Sequence, residues 1–232
     1  MSSQTPSLTQ YLLGLDPSGL HAATHHPFLT KAATGTLPAA TAQSWLSQDR
    51  LYALSYTNFA AGLLCKVAIP SNSNRTATLG RRTADALIDC LANIKHEVEL
   101  FEDVAARRGW SAVLDDARPN AVTLAYRNVF AGAAQPSASL LKGLVTLWAT
   151  EECYLRAWSG AAKDMKGGAD ESDVMRSVFI PNWSSDEFVA FVKVLADLVD
   201  DMGNGIDEEQ RRECEDAWRV VLTVEKEFWP DV

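Results

Sequence analysis

A long apolar segment, residues 144–158, carries hydrophobic side chains on most sides of the helix that its spacing predicts. Two adjacent stripes recur at intervals of three and four residues, one formed by Leu144, Leu147, Tyr154 and Trp158 and the other by Leu141, Val145, Trp148 and Leu155. A helix that is apolar over so wide an arc must be buried. We therefore expect the rest of the chain to form helices that pack around it.

A carboxylate interrupts this apolar arc. Glu151 lies between Leu147 and Tyr154 in helical projection, where loss of hydration would raise its pKa unless a partner compensates. Thr150 precedes Tyr154 by four residues, so both side chains can face the same space. The alternative interpretation is that Glu151 reaches solvent or pairs with a structural arginine.

The same anomaly recurs on two other predicted helices. Asp49 lies on the aromatic face of a helix predicted from Thr41 to about Lys66, and Glu225 occupies the apolar face of the last predicted helix. Three acids on apolar faces beside tyrosine and tryptophan rings predict a pocket for a flat, polar ligand of basic or amidine-like character. The alternative is that two of the acids pair with arginines of the core, such as Arg127 or Arg156.

Helices also account for the rest of the chain, because no segment shows the period-two alternation of a strand. The predicted fold class is therefore all-α, a single domain over residues 1–232 with roughly seven to nine helices. Residues 71–80 and 159–172 have the composition of loops, the second one exposed. The other helices are predicted at Leu8–Leu15, from residue 81 to near Gly109, from Pro119, after a cap at Ser184 or Ser185, and from about Glu208 to Phe228.

Composition excludes several classes of function. The formal net charge of -9 argues against a nucleic-acid or anionic-membrane partner, so small molecules or copies of the chain itself are the expected partners. The N-terminus has no basic region followed by an apolar run, and no later segment is suited to a bilayer, so we expect a cytoplasmic location. The four widely spaced cysteines form no zinc-binding pattern and are expected to be reduced thiols.

Motifs for metal, haem or nucleotide chemistry are also missing. A di-iron site in a helical bundle needs Glu-x-x-His, but Asn93 stands where the glutamate before His96 would have to be. No G-x-S-x-G, P-loop or G-x-G-x-x-G pattern occurs. We therefore predict neither a metal nor a cofactor.

Six segments of the chain form a recognisable series: HPFLTKAATGTLP, WLSQDRLYAL, AYRNVF, LWATEECYLRAW, NWSSDEFVAFV and VEKEFW. Together they resemble the TenA proteins, which have the haem-oxygenase-like all-α fold and act as thiaminase II or aminopyrimidine aminohydrolases. The segments occur in the family's order and cover nearly the whole chain, and the QDxxY and ExxFW pieces are the most specific.

The resemblance assigns roles to individual residues. Asp49 matches the aspartate that binds the aminopyrimidine, and Tyr52 matches its neighbouring tyrosine. Tyr126 and Tyr154 match two further active-site tyrosines. Glu225 matches the C-terminal glutamate that acts in proton transfer.

One position departs from the better-studied branch of the family. Its cysteine nucleophile lies four residues before the tyrosine matched by Tyr154, and Thr150 occupies that place here, followed by Glu151. Cys153 falls on a different face of the helix and is a poor substitute. The chain thus resembles the branch that lacks the cysteine and carries a glutamate nearby.

The activity implied by this resemblance is hydrolysis of an amino- or formylamino-methylpyrimidine in thiamin salvage, with little or no cleavage of thiamin itself. Asp49 would hold the ring, Glu225 would protonate the leaving amine, and Glu151 would position or activate water. One alternative is a non-catalytic aminopyrimidine-binding protein that acts as a sensor or carrier, and another is haem degradation on the same fold. A homodimer or homotetramer is also expected.

Overall fold

A computed structural model describes residues 6–71, 78–168 and 170–232, and all regular structure in these ranges is helical. This confirms the predicted all-α class. In chain order the helices are α1 (Leu8–Leu15), α2 (Pro17–Thr24), α3 (Pro27–Thr34), α4 (Ala39–Leu64), α5 (Leu79–Arg108), α6 (Ser111–Asp115), α7 (Ala121–Ala134), α8 (Leu140–Asp164), a π-helical turn (Met175–Phe179), α9 (Ile180–Trp183), α10 (Asp186–Met202) and α11 (Glu208–Phe228).

Helix α8 lies at the centre of the fold, as its apolar arc predicts. Buried residues occur around most of its circumference, and Ser139 caps it by accepting a hydrogen bond from the Lys142 amide at 3.1 Å. The helices packed against it are α2, α3, α4, α7, α9, α10 and α11. Side chains on all of these helices can therefore meet at the surface of α8.

The contact between α4 and α8 is close at Gly143. A Cβ atom at this position would lie 2.3 Å from Cδ2 of Leu63 on α4, so only glycine fits unless the side chain of Leu63 moves. The same two helices carry Asp49 and Tyr154, whose side chains meet further along the interface.

Several helix ends lie where the sequence predicts them because the capping residues are strong. Helix α1 follows Ser7 and α11 follows Asp207, each in a capping box with a glutamine three residues later. Ser185 accepts a hydrogen bond from the backbone N–H of Phe188 at the start of α10. Gly109, with φ of 69°, ends α5 in the left-handed conformation that suits glycine.

The predicted loop over residues 159–172 is wrong in its first part, because α8 continues to Asp164. The small and polar residues of this stretch have a loop-like composition, but Ala161 is buried against neighbouring helices and the backbone stays helical. Residue 169 lies outside the described residues. Of the predicted loop at 71–80, residues 72–77 also lie outside them, and α5 already begins at Leu79.

The number of helices was also predicted too low, since the described ranges contain eleven α-helices. The additional ones are short elements such as α6 and α9, with five and four residues, which are too short to produce a recognisable period.

The buried apolar side chains form one continuous core that extends from Leu8 to Trp229. Trp148 and Trp218 stack inside it with ring centroids 5.2 Å apart and join α8 to α11. Within the described ranges, no helix is long and apolar enough to cross a membrane.

Candidate active site

Asp49 lies fully buried on α4, with 0% of its surface exposed. The hydroxyl of Tyr154 on α8 donates a hydrogen bond of 2.7 Å to Oδ1 of Asp49. The other oxygen, Oδ2, is buried and has no hydrogen-bond partner among the described residues. Since an unpartnered buried oxygen is costly, it is a candidate contact for a ligand.

Glu225 repeats this arrangement on α11, where only 1% of its surface is exposed. The hydroxyl of Tyr126 on α7 donates a hydrogen bond to Oε1 of Glu225. Oε2 is buried and has no partner in the described part of the chain. Two acids on different helices are therefore each held by one tyrosine through one carboxyl oxygen. The second oxygen of each is available for a further contact.

Aromatic rings surround the two acids. The rings of Tyr52 and Tyr154 lie within 4° of parallel, with their centroids 6.4 Å apart, and Tyr126 meets Tyr52 edge-on at 4.9 Å. Phe228 and Trp229, at the end of α11, pack against Tyr52 and Tyr154 respectively. We call the ring group of Tyr52, Tyr126, Tyr154, Phe228 and Trp229 the aromatic box.

Glu151 occupies the next part of α8, one turn before Tyr154. It is partly exposed because it lines a cavity of about 240 Å³ that is partly open to the surface. The interpretation that Glu151 reaches solvent is therefore correct in part. Thr150, by contrast, is buried, and its hydroxyl donates to the backbone carbonyl of Leu147 at 2.8 Å.

The pKa values of these acids are raised. Burial raises the pKa of Asp49 to about 7 and that of Glu151 to about 7, although the tyrosines beside them partly offset the effect. Burial also raises the pKa of Glu225 to about 8, with repulsion from Asp49 and Glu151 adding to it. All three groups therefore exchange protons near neutral pH, where acid–base catalysis needs them.

Pairing with arginine does not explain the buried acids. In the described ranges, no ion pair includes Asp49, Glu151 or Glu225, and Arg156 pairs instead with its neighbour Glu152 at 2.6 Å. The alternative that two of the acids pair with core arginines such as Arg127 or Arg156 is therefore wrong.

A fourth acid, Glu97 on α5, belongs to the same group, although its position at the border of an apolar helical stripe does not by itself predict this. The indole N–H of Trp183 donates a hydrogen bond of 3.2 Å to Oε2 of Glu97. Its pKa is raised well above the usual value by burial and then by repulsion from Asp49 and Glu151. The two partners are 86 residues apart, so no local spacing in the sequence indicates the contact.

Cys153 does not offer a nucleophile. It is fully buried, and burial followed by repulsion from Glu225 holds its pKa well above the usual value, so it stays a thiol. The described residues also contain no group of three or more His, Cys, Asp or Glu side chains placed to hold a metal ion. What the geometry offers is proton transfer by buried carboxyl groups beside aromatic faces.

Comparison with known proteins gives a consistent result. The model of the TENA/THI-4/PQQC family matches residues 18–232. A "Probable transcription factor" of Fusarium pseudograminearum (strain CS3096) is 30% identical over 240 residues, which cover 87% of this chain but only 48% of that protein. The chain thus spans about half the length of this relative.

Two further comparisons cover most of both chains. A "Probable bifunctional TENA-E protein" of Glycine max is 21% identical over 207 residues, covering 89% of this chain and 85% of that protein. The X-ray structure of a TenA homologue from Pyrococcus furiosus has a TM-score of 0.82 at 22% identity and covers 96% of this chain and 98% of that one. This likeness confirms the fold that the resemblance implied.

Proposed function

Because the chain belongs to the TENA/THI-4/PQQC family, we propose that it is an aminopyrimidine hydrolase of the thiaminase II type that works without a cysteine nucleophile. The observation that carries the proposal is the pair of buried carboxyl groups, Asp49 and Glu225. Each is held by one tyrosine and keeps one unpartnered oxygen beside the aromatic box. The substrate would be an amino- or formylamino-methylpyrimidine from degraded thiamin.

Asp49 and the aromatic box would bind the pyrimidine. An aminopyrimidine presents an exocyclic N–H donor next to a ring nitrogen, and Oδ2 of Asp49 is free to accept a hydrogen bond from this edge. Tyr52 and Tyr154 offer parallel aromatic faces to the flat ring, and Tyr154 at the same time fixes the Asp49 carboxyl.

Glu225 and Glu151 would carry the proton transfers. With a pKa of about 8, Glu225 is mostly protonated at neutral pH and can donate its proton to the leaving amine. With a pKa of about 7, Glu151 is present in part as a carboxylate and can take a proton from water. For the aminomethyl substrate, the water oxygen bonds to the methylene carbon while the carbon–nitrogen bond breaks, which gives the hydroxymethylpyrimidine and ammonia.

A second candidate is a non-catalytic protein that binds the same pyrimidine as a sensor or carrier. Thr150 occupies the position of the nucleophile, but its hydroxyl is already engaged by the Leu147 carbonyl, and Cys153 on the same helix stays a thiol. The Fusarium relative is named a probable transcription factor, which also fits a binding role. The cytoplasmic location, and the dimer or tetramer, stay predictions.

The first experiment follows turnover by chromatography. Purified protein is incubated separately with 4-amino-5-aminomethyl-2-methylpyrimidine, its N-formyl derivative and thiamin. We expect turnover of at least one of the two pyrimidines and little or none of thiamin. If none of the three reacts but a pyrimidine binds tightly, the binding protein is the correct interpretation.

The Glu225→Gln variant tests the mechanism. Glutamine keeps the shape of the side chain but cannot donate a proton of suitable acidity, so we expect loss of roughly 100-fold or more in kcat while the pyrimidine still binds. Glu227→Gln is the matched control, because Glu227 lies two residues later on α11 and is exposed. Near-normal turnover by Glu225→Gln would contradict the assigned role.

A further inference from the structure

The cavity beside Glu151 has a composition of its own. It lies between α4, α5, α8, α9 and α10, and apolar side chains such as Phe188 and Phe191 form much of its wall. Glu97, Glu151, Glu187 and the exposed His96 line it as well, while none of the described lysines or arginines does. Its volume of about 240 Å³ is sufficient for a small polar group together with several waters.

The cavity adjoins the aromatic box through Trp183, which lines the cavity and contacts a tyrosine of the box. Trp183 lines the cavity and donates its indole N–H to Glu97, and its ring meets that of Tyr154 edge-on at 5.5 Å. Tyr154 in turn donates to Asp49 at 2.7 Å. A ring bound at Asp49 would therefore have the cavity next to it.

Glu97 is half-buried and has few protein partners in this position. The indole of Trp183 is its one hydrogen-bond donor in the described part of the chain, and no ion pair there includes Glu97. The charges that act on it from α4 and α8 are those of further acids, Asp49 and Glu151. The missing partner of such a site is a group with positive charge or several N–H donors.

We propose that this cavity is the subsite for the nitrogen substituent of the pyrimidine, and that Glu97, positioned by Trp183, selects substrates whose substituent is an amine or amide with N–H donors. This inference rests on the proposed function and adds the basis of its specificity. An amine or amide nitrogen offers N–H donors to the carboxyl of Glu97, whereas the hydroxymethyl product offers a single O–H donor. The site therefore favours binding of the amine and release of the alcohol.

The test compares two ligands that differ only in this substituent. Isothermal titration calorimetry gives Kd for 4-amino-5-aminomethyl-2-methylpyrimidine and for 4-amino-5-hydroxymethyl-2-methylpyrimidine at one neutral pH. Each compound is titrated into freshly prepared protein within a short time. Chromatography of the mixture afterwards checks that the amine has not been consumed. We expect the wild-type protein to prefer the amine by roughly ten- to hundredfold, as for a charge-assisted hydrogen bond.

Variants locate the preference. Glu97→Gln should weaken binding of the amine and leave the alcohol within about twofold, and Glu97→Asp, which keeps the carboxyl, should retain part of the preference. Glu99→Gln is the control, because Glu99 is exposed on the same helix and does not line the cavity. Circular dichroism establishes that each variant is folded.

The outcomes separate the two proposals. If the wild-type protein binds neither pyrimidine, the proposed function fails and this inference fails with it. If the wild-type protein binds the amine and the alcohol equally while turnover is observed, only the proposed subsite is wrong. This outcome is read from the wild-type protein alone and requires no variant. Equal weakening of both ligands by Glu97→Gln would also overturn the inference, because it would indicate a structural role.

Discussion

At the scale of single residues, the tyrosine hydroxyls decide what the buried acids can do. Each hydroxyl donates to one carboxyl oxygen and so orients the other, in the pair Tyr154–Asp49 on α8 and α4 and in the pair Tyr126–Glu225 on α7 and α11. A tyrosine donor also favours the ionised carboxylate and so limits how far burial raises the pKa. The proton affinity of each acid thus depends on a residue from a different helix.

The Tyr126→Phe variant tests this dependence. Loss of the hydroxyl removes the interaction that lowers the pKa of Glu225, so that pKa should rise above about 8. Because Glu225 acts as the protonated acid, activity falls as pH rises through its pKa, and the alkaline limb of kcat/KM should move to higher pH. We also expect kcat/KM at neutral pH to fall by roughly tenfold or more, since a buried oxygen loses its donor.

The control for this variant is Tyr11→Phe. Tyr11 likewise donates to a glutamate, Glu215 at 2.6 Å, but in a partly exposed position between α1 and α11 that is not part of the aromatic box. It should leave the pH profile unchanged. An alkaline limb that stays in place in Tyr126→Phe would mean that Glu225 is not the group that titrates.

Helical spacing was sufficient to predict which acids lie on apolar faces, because the period of α4, α8 and α11 places Asp49, Glu151 and Glu225 there directly. It could not indicate which tyrosine pairs with which acid, since this depends on how the helices cross. It also missed Glu97, whose importance comes from its contact with Trp183 on another helix. The roles of all these residues in a reaction stay predictions.

At the scale of helices, the packing of α8 against α4 can be tested at two glycines of the same helix. Gly143→Ala would bring Cβ to 2.3 Å from Cδ2 of Leu63, which is itself fully buried, whereas a Cβ at Gly160 meets nothing within 4 Å. Alanine raises helix stability by roughly 1 kcal/mol over glycine, while overpacking costs roughly 1–3 kcal/mol. Gly143→Ala should therefore lower the free energy of unfolding, by up to about 2 kcal/mol, and Gly160→Ala should raise it.

Urea unfolding at fixed pH measures both changes. The double variant Leu63→Ala/Gly143→Ala adds a check, because the smaller side chain leaves room for the new methyl group and the two effects should not be additive. Stabilisation by Gly143→Ala alone, of the same size as by Gly160→Ala, would show that the helices can separate there without cost.

Helix bounds were predictable where local signals are strong. The capping boxes fix the starts of α1 and α11, and glycine fixes the end of α5. At residues 159–164 the local composition indicated a loop, but burial of Ala161 against neighbouring helices keeps the segment helical. The local sequence does not show which residues will be buried by tertiary packing, so the end of α8 could not be predicted from it.

At the scale of the whole molecule, the buried acids oppose folding when they are ionised. Three carboxyls with pKa values of about 7, 7 and 8 lie in a chain whose formal net charge is already -9. Their unfolded values are near 4, so between about pH 4.5 and 8 the folded protein holds more protons than the unfolded chain. The stability of the ligand-free protein should therefore decrease as pH rises through this range.

The Glu225→Gln variant makes this prediction specific. A single acid contributes a slope of at most about 1.4 kcal/mol per pH unit while it is protonated only in the folded state. Removing Glu225 should make the decline in the free energy of unfolding between pH 5.5 and 7.5 shallower by up to this amount. Above pH 8 both proteins should show little further change from this group, since Glu225 is then ionised in both states.

Comparison between variants removes the contributions of other groups. Burial lowers the pKa of His26, so this residue makes stability rise with pH below about 6.5, but it does so equally in the wild-type protein and in the variant. Glu227→Gln makes the same substitution at an exposed position of α11. Because the charge of Glu227 also acts on His26, the slopes of this control and of the wild-type protein are compared above about pH 6.5, where they should agree. If Glu225→Gln and Glu227→Gln gave the same slope in urea titrations, Glu225 would be ionised in the folded protein at neutral pH and could not serve as the proton donor.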